Sequence, residues 1–373
     1  MRHRHVTLLI AATGALVLTA AGGGPAYAVT GSWTVMPAAP SATPFELTGV
    51  DAATSSSGLA VGTAINGGNQ GVAMRFDGAN WGFVSVPRPS PNVELKGVAA
   101  TGATDAWAVG SAGDFAGFYS GTRPLALHWN GSSLAVSSPT LTVKSRFSAV
   151  SAAGASNVYA VGRVGNNSLV EKWNGSAWSQ VTVPDPNPAN PTTVDSLTAV
   201  SVRTTSDIWA VGSYSAGPFA LHFDGSTWRV VPLATPAGST SVYITGVVGV
   251  SGTDAWAVGS SVDSAGNSST LTERWNGTSW QVVASLTGTA FAGLTGVAAR
   301  SGTDVWAVGS ASTAADQTTH TVSLHWDGTA WTRLPSPPAG FGYLNAVATR
   351  PGAAAVLACG DDTNAMGFVL THP

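Results

Sequence analysis

A segment of about fifty residues recurs six times along this chain, and a seventh copy is divided between its two ends. The complete copies begin at Leu47, Leu95, Phe147, Leu197, Ile244 and Leu294 with an apolar-x-small-Val start. Each continues through a block such as Trp107-Ala108-Val109-Gly110 or Trp256-Ala257-Val258-Gly259, then a turn pair such as Asn174-Gly175 or Asp327-Gly328, and usually a further Trp. Short apolar runs punctuated by turn dipeptides are strands, and four of them per copy make one blade of a β-propeller. The expected fold is therefore all-β: seven four-stranded antiparallel blades in a ring. The last copy, from Leu344 to Pro373, has only three strands. The missing fourth is Gly31-Ser32-Trp33-Thr34-Val35-Met36-Pro37, which matches Gly225-Ser226-Thr227-Trp228-Arg229-Val230-Val231-Pro232 apart from one residue. The N-terminal strand is thus expected to pair with the C-terminal three and close the ring, removing two open sheet edges.

The small third residue of each start (Gly49, Gly97, Ala149) fits an innermost strand, where neighbouring backbones crowd around an axis. The uninterrupted apolar second strand fits burial on both faces between stacked blades. Asp105, Asp207, Asp254 and Asp304, with Asn157, precede that strand at a tight turn, where a side-chain oxygen can accept backbone N–H groups. Asn-Gly and Asp-Gly pairs mark the reversal into the fourth strand, and this turn chemistry also accounts for sequons such as Asn130-Gly131-Ser132. His128, His222 and His325 occupy one position in blades two, four and six, too far apart to share a metal ion, and read as packing residues of the repeat. The Trp rings of strands two and four are expected to join blade to blade. Cys359 replaces a core Val, and as the single Cys it has no disulfide partner in the chain.

Residues 1–28 read as a cleaved secretory signal peptide, with Arg2 and Arg4, an apolar run from Val6 to about Ala21 and an Ala26-Tyr27-Ala28 exit; residues 29–373 form the single propeller domain. No later segment is apolar enough to span a bilayer. The expected location is extracellular. Without Arg2 and Arg4, 14 basic residues face 19 acidic ones, a balance of −5, which carries no nucleic-acid signature. Only 9% of residues are charged, so hydroxyls and amides keep the surface wet.

Connection lengths separate the two rims of the disc. Leu95 to Trp107 and Ile244 to Trp256 are equally spaced, as are the turn and the following Trp, so one rim is nearly constant. The opposite rim is not: the connection after the second-strand Gly spans residues 163 to 173 in one copy and 111 to 129 in another. Loops on a rigid scaffold carry function, which makes the variable rim the candidate site. Its candidate ligand-binding residues are Asp114, Phe115, Phe118, Tyr119, Arg123, Arg146, Tyr214, Tyr243, Phe341 and Tyr343, with Arg88, Lys144 and Phe291 nearby. Aromatic rings beside hydroxyl, amide and guanidinium groups suit sugar hydroxyls, and equally suit a protein partner. The rim acids Glu46, Glu94, Asp114, Asp185, Asp195, Asp263 and Asp316 show no pairing motif for glycoside hydrolysis. Nucleophile elbow, Walker loop and zinc-ligand spacing are all missing, so no enzymatic activity, cofactor or metal is expected.

With its Trp-Ala-Val-Gly blocks and patterns such as His325-Trp326-Asp327-Gly328-x-x-Trp331, the chain resembles the secreted seven-bladed propellers of actinobacteria, some of them lectin-like. Certain members look like lectin subunits of large secreted antibacterial particles. That resemblance implies a glycan-binding or adaptor role.

Overall fold

The computed structural model describes residues 31–373 apart from 39–40, 42, 66–67, 114–120, 140, 142–143, 191–192, 215–216, 286–290, 313–317, 336–341 and 363. The expected signal peptide lies outside these residues. Among those described there are twenty-eight strands and no helix. Strand β1 is Thr34–Val35. Blade one comprises β2 (Phe45–Thr54), β3 (Ser57–Ile65), β4 (Asn69–Phe76) and β5 (Trp81–Val84). Blade two comprises β6 (Asn92–Gly102), β7 (Asp105–Gly113), β8 (Arg123–Trp129) and β9 (Leu134–Val136). Blade three comprises β10 (Ser145–Ala152), β11 (Val158–Val164), β12 (Asn167–Trp173) and β13 (Trp178–Gln180). Blade four comprises β14 (Ser196–Thr204), β15 (Asp207–Tyr214), β16 (Gly217–Phe223) and β17 (Trp228–Val231). Blade five comprises β18 (Ser239–Ser251), β19 (Asp254–Asp263), β20 (Ser268–Trp275) and β21 (Trp280–Val283). Blade six comprises β22 (Phe291–Ser301), β23 (Asp304–Ser312), β24 (His320–Trp326) and β25 (Trp331–Arg333). Blade seven comprises β26 (Tyr343–Thr349), β27 (Val356–Asp361) and β28 (Gly367–His372), and β1 is its outer strand.

The expected closure is present. Thr34 lies opposite Thr371 and Val35 opposite Leu370 in antiparallel register. The same segment runs on to the next blade, where Trp81 donates its backbone N–H to Pro37 and Ala38 bridges Trp81. Trp33 is buried, packs edge-on against Trp306 of blade six with ring centroids 6.1 Å apart, and donates its indole N–H to Ser323 at 2.9 Å.

Every inner strand carries a β-bulge just after its apolar start, for example between Leu47 and Gly49 and between Leu344 and Ala346. A bulge re-aims the extra side chain. Here it turns Thr48, Thr198, Thr245 and Thr295 toward the next blade, where each hydroxyl donates to the backbone carbonyl of the neighbour's opening residue, at 2.5–3.1 Å. Asn345 does the same from blade seven to Leu47 of blade one, at 2.8 Å, closing the inner circle as β1 closes the outer. Crowding at the axis is as expected: a Cβ on Gly97 would stand 3.1 Å from the Cα of Ala149.

The bulge also explains the glycine that ends each Trp-Ala-Val-Gly block. A Cβ on Gly62, Gly110, Gly162, Gly212, Gly259, Gly309 or Gly360 would lie 1.8–2.1 Å from the carbonyl oxygen of the inner-strand residue before the bulge. No side chain fits there.

Between blades the rings interlock as anticipated. Trp107 of blade two meets Trp173 and Trp178 of blade three at 5.0 Å; Trp209 meets Trp275 and Trp280; Trp256 meets Trp326 and Trp331. One reading needs correction. The acids before the second strand bind side chains of the third strand rather than capping backbone: Asp207 accepts from His222 at 2.8 Å, Asp304 from His325 at 3.0 Å, and Asp105 from His128 at 2.5 Å. In blade five Arg274 takes the histidine's place, with a two-pronged contact to Asp254 at 2.8 and 2.9 Å. His128 and His222 stack on the second-strand Trp, His222 lying 4.0 Å from Trp209, while His325 packs tilted against Trp306 at 4.7 Å. In blades two, four and six ring packing and hydrogen bonding thus converge on one Trp–His–Asp unit, because a planar imidazole can cover a ring and reach a carboxylate together.

Two buried acids depart from the repeat. Glu171 and Glu273 stand where blades two, four and six carry Leu127, Leu221 and Leu324, and burial raises both to about 7. Glu273 is fully buried, and one of its oxygens accepts the Ala234 N–H at 2.8 Å. Its proton is retained in the folded chain up to about pH 7 but leaves the unfolded chain near 4.5. Stability should therefore fall as pH rises through that window and level off above it. Glu273→Gln, which cannot ionise, is expected to match the parent in urea unfolding at pH 4 and exceed it by up to about 3 kcal/mol at pH 8. An equal difference at both pH values would contradict this.

Candidate functional site

The inner strands begin, and the second strands end, on the rim that carries the variable connections. The residue just before each apolar start therefore stands at the mouth of the central channel: Glu46, Glu94, Arg146, Ser196, Tyr243, Gly293 and Tyr343 in blade order. The mouth is divided by chemistry. Blades one to three contribute charge, and blades five to seven an arc of exposed rings: Tyr243 at 54% exposure and Tyr343 at 46% at the mouth, with Phe291 at 64% two residues before Gly293. By contrast, none of the 14 Trp is exposed.

In the charged sector Lys96, which replaces the bulge hydroxyl of blade two, pairs with Glu94 at 2.6 Å. Both line a depression of ≈ 350 Å³ with Ser111, Arg146, Phe147 and Ser148. Across the closure seam Asp361 lies opposite Tyr343 and accepts from Asn345 at 2.8 Å. Burial raises its carboxyl to about 6; the Asn345 bond opposes this, and the charges of Glu46 and Asp362 add to it.

Two further depressions open on the same rim. One, of ≈ 480 Å³, lies at blade two among Pro89, Ser90, Arg123, Pro124, Pro139 and Leu141. The other, of ≈ 290 Å³, lies between blades four and five and includes Tyr214 and Tyr243.

The sequence-derived residues are thus distributed around the rim rather than gathered in one place. Arg146 joins Glu94 and Lys96. Tyr214 joins Tyr243, with its ring packed against Phe219 at 6.1 Å. Arg123 stands apart at the start of β8. Tyr343 is on the exposed arc, its hydroxyl 3.5 Å from Thr319. Asp114, Phe115, Phe118, Tyr119 and Phe341 lie outside the described residues, as do the rim acids Asp114 and Asp316. Of the other acids, Asp195 is buried and accepts from the Ser168 N–H and hydroxyl at 2.7 and 2.6 Å, while Asp263 caps its own turn through the Ala265 and Asn267 N–H groups. Both are structural. Glu94, Lys96 and Asp361 were not singled out as binding residues from the sequence. The replacement of the repeat's hydroxyl by Lys at 96 was the signal that could have marked the first two.

Among the described residues no cluster of three or more His, Cys, Asp or Glu could hold a metal, and no helix is long and apolar enough to cross a membrane. Cys359 is buried, and burial pushes its thiol well above the usual range, which leaves it inert.

No family model matches the chain, and no curated protein is similar to it. Solved structures are similar in fold. YCF48 bound to D1 peptide aligns with a TM-score of 0.60 at 14% identity over 92% of this chain and 96% of its own. YCF48 from Cyanidioschyzon merolae aligns with a TM-score of 0.60 at 16% identity, covering 91% and 98%. The GH74 xyloglucanase from Xanthomonas campestris aligns with a TM-score of 0.59 at 13% identity, covering 88% of this chain and 53% of the enzyme. At such identities the likeness establishes the architecture alone, a β-propeller.

Proposed function

We propose that this chain is a secreted, lectin-like recognition module that binds carbohydrate or a cell-surface polymer across the variable rim. The observation that carries this reading is the arc of Tyr243, Phe291 and Tyr343 on three consecutive blades. Leaving three large rings in water, when every Trp of the chain is turned inward, forgoes the stabilisation that burial of such side chains brings. Flat rings in a row suit the apolar faces of successive sugar units, and the hydroxyl-rich surroundings suit their polar edges.

A second reading is a protein-interaction scaffold or adaptor within an extracellular assembly. The neighbour solved with a bound peptide favours it. The two part on one experiment. A glycan array with the parent and with the Phe291→Ala and Tyr343→Ala variants should show a polysaccharide signal that falls at least tenfold in each variant. No polysaccharide signal, together with a partner recovered from culture supernatant whose capture depends on the same residues, would replace the first reading by the second.

A further inference from the structure

Blade five is built differently from its neighbours at the variable rim. Strand β18, at 13 residues, begins five residues before its apolar start Ile244, whereas β14 of blade four begins one residue before Leu197 and β22 of blade six three before Leu294. Ser239 to Tyr243 pair with Ser260 to Asp263 of β19, so this hairpin rises above the disc as a wall. Facing it is the tip of blade four, where Ser213 and Tyr214 end β15 and Gly217 and Pro218 begin β16. Between wall and tip lies the ≈ 290 Å³ depression, floored by Val242 and edged by Thr235 of the connecting link.

Its lining has two distinguishing properties. Among the described residues it contains no carboxylate, ammonium, guanidinium or imidazole, in contrast to the charged depression at blades two and three. It offers two tyrosines of unequal freedom: Tyr214 is half-buried and held against Phe219, while Tyr243 stands exposed on the raised strand. Around them are the hydroxyls of Ser213, Thr235, Ser239 and Ser241. A fixed ring, a free ring and several neutral donors and acceptors match a ligand with an apolar face, many hydroxyls and no charge. A charged ligand would lose its hydration here with nothing to neutralise it.

We propose that the crevice between blades four and five is a subsite for one or two uncharged sugar units, with Tyr243 as the stacking platform and Tyr214 as the fixed wall. This rests on the carbohydrate reading above and names the ligand class for one part of that rim. The absence of ionised groups has a direct consequence: binding should not respond to salt.

The test uses neutral disaccharides (maltose, cellobiose, lactose and diacetylchitobiose) on the full chain, read by saturation-transfer NMR at 50 and 500 mM NaCl. The expected result is binding of at least one of them at equal strength in both salts. It should fall at least tenfold in Tyr243→Ala and in Thr235→Trp, whose indole would fill the crevice from an exposed link position, and stay within twofold in Gly82→Ala, on the outer strand of blade one with nothing within 4 Å. Binding that survives Thr235→Trp would overturn the subsite and leave the carbohydrate reading intact. So would binding confined to amino sugars or uronic acids tested in parallel. Failure of every saccharide, here and on the array, would remove both.

Discussion

Removing residues 29–37 should leave a protein that does not fold to a soluble monomer, and Trp33→Ala alone should lower the melting temperature by roughly 4–7 °C. The segment does three things at once. It supplies the fourth strand of blade seven opposite Leu370 and Thr371, it inserts the buried Trp33 beside Trp306 and His372, and through the Pro37 carbonyl it binds Trp81 of blade one. Large-to-small truncation of a buried Trp costs about 3–5 kcal/mol when the surroundings cannot collapse. The indole also takes with it the hydrogen bond to Ser323. Deletion goes further, exposing an unpaired edge of β28 and the Trp face of blade six, both of which invite association. Size-exclusion chromatography and thermal unfolding by circular dichroism check the pair; a monomeric deletion variant with the parent's melting temperature would contradict the closure.

The second large effect is expected from a single methyl group. Gly259→Ala would set a Cβ 1.9 Å from the Tyr243 carbonyl oxygen. That atom belongs to paired backbone and cannot rotate away, so the β18–β19 pairing must break or shift. A cost of about 3–5 kcal/mol is expected, in the range of severe core overpacking. Gly82→Ala, at a position with nothing within 4 Å, should stay within about 0.5 kcal/mol and serves as the control. Urea unfolding of both variants reads the difference directly. Equal stability of the two would mean that the second-strand glycine is not set by the bulge.

The repeat made the ring legible because each blade restates the same physical constraints: small residues where inner strands crowd, continuous apolar runs where sheets stack, and Gly after Asn or Asp where the chain turns with positive φ, as at Gly175 and Gly328. Even the division of blade seven could be read, since Trp33 stands where every full copy but one carries its fourth-strand Trp; blade two has Leu134 there. What could not be read was how separate motifs meet. Asp207 and His222 lie 15 residues apart and belong to different strands, so their direct pairing beside the Trp209 ring becomes visible only once register is known. The bulge was hidden for a similar reason: it adds one residue to every copy alike and so leaves no irregularity in the period.

The site was less legible than the fold. Exposure of Tyr243 and Tyr343 follows from their place just before the inner-strand start, a position that the repeat leaves free to vary. The depression beside Tyr243 depends instead on how far β18 extends beyond the ring, which no local motif encodes.

The claim on which the rest stands is that the two ends of the chain meet in one sheet and make the rim continuous. Thr34 and Thr371 are directly opposite there, and cross-strand Cα atoms about 4.5–5.5 Å apart lie within disulfide reach. A Thr34→Cys, Thr371→Cys variant, oxidised while native, should form the cross-link quantitatively, seen as a mobility change on a non-reducing gel with an unchanged circular dichroism spectrum. Two thiols that stay free and titratable in the native protein would show that the ends do not pair, and the closed seven-bladed ring would fall with them.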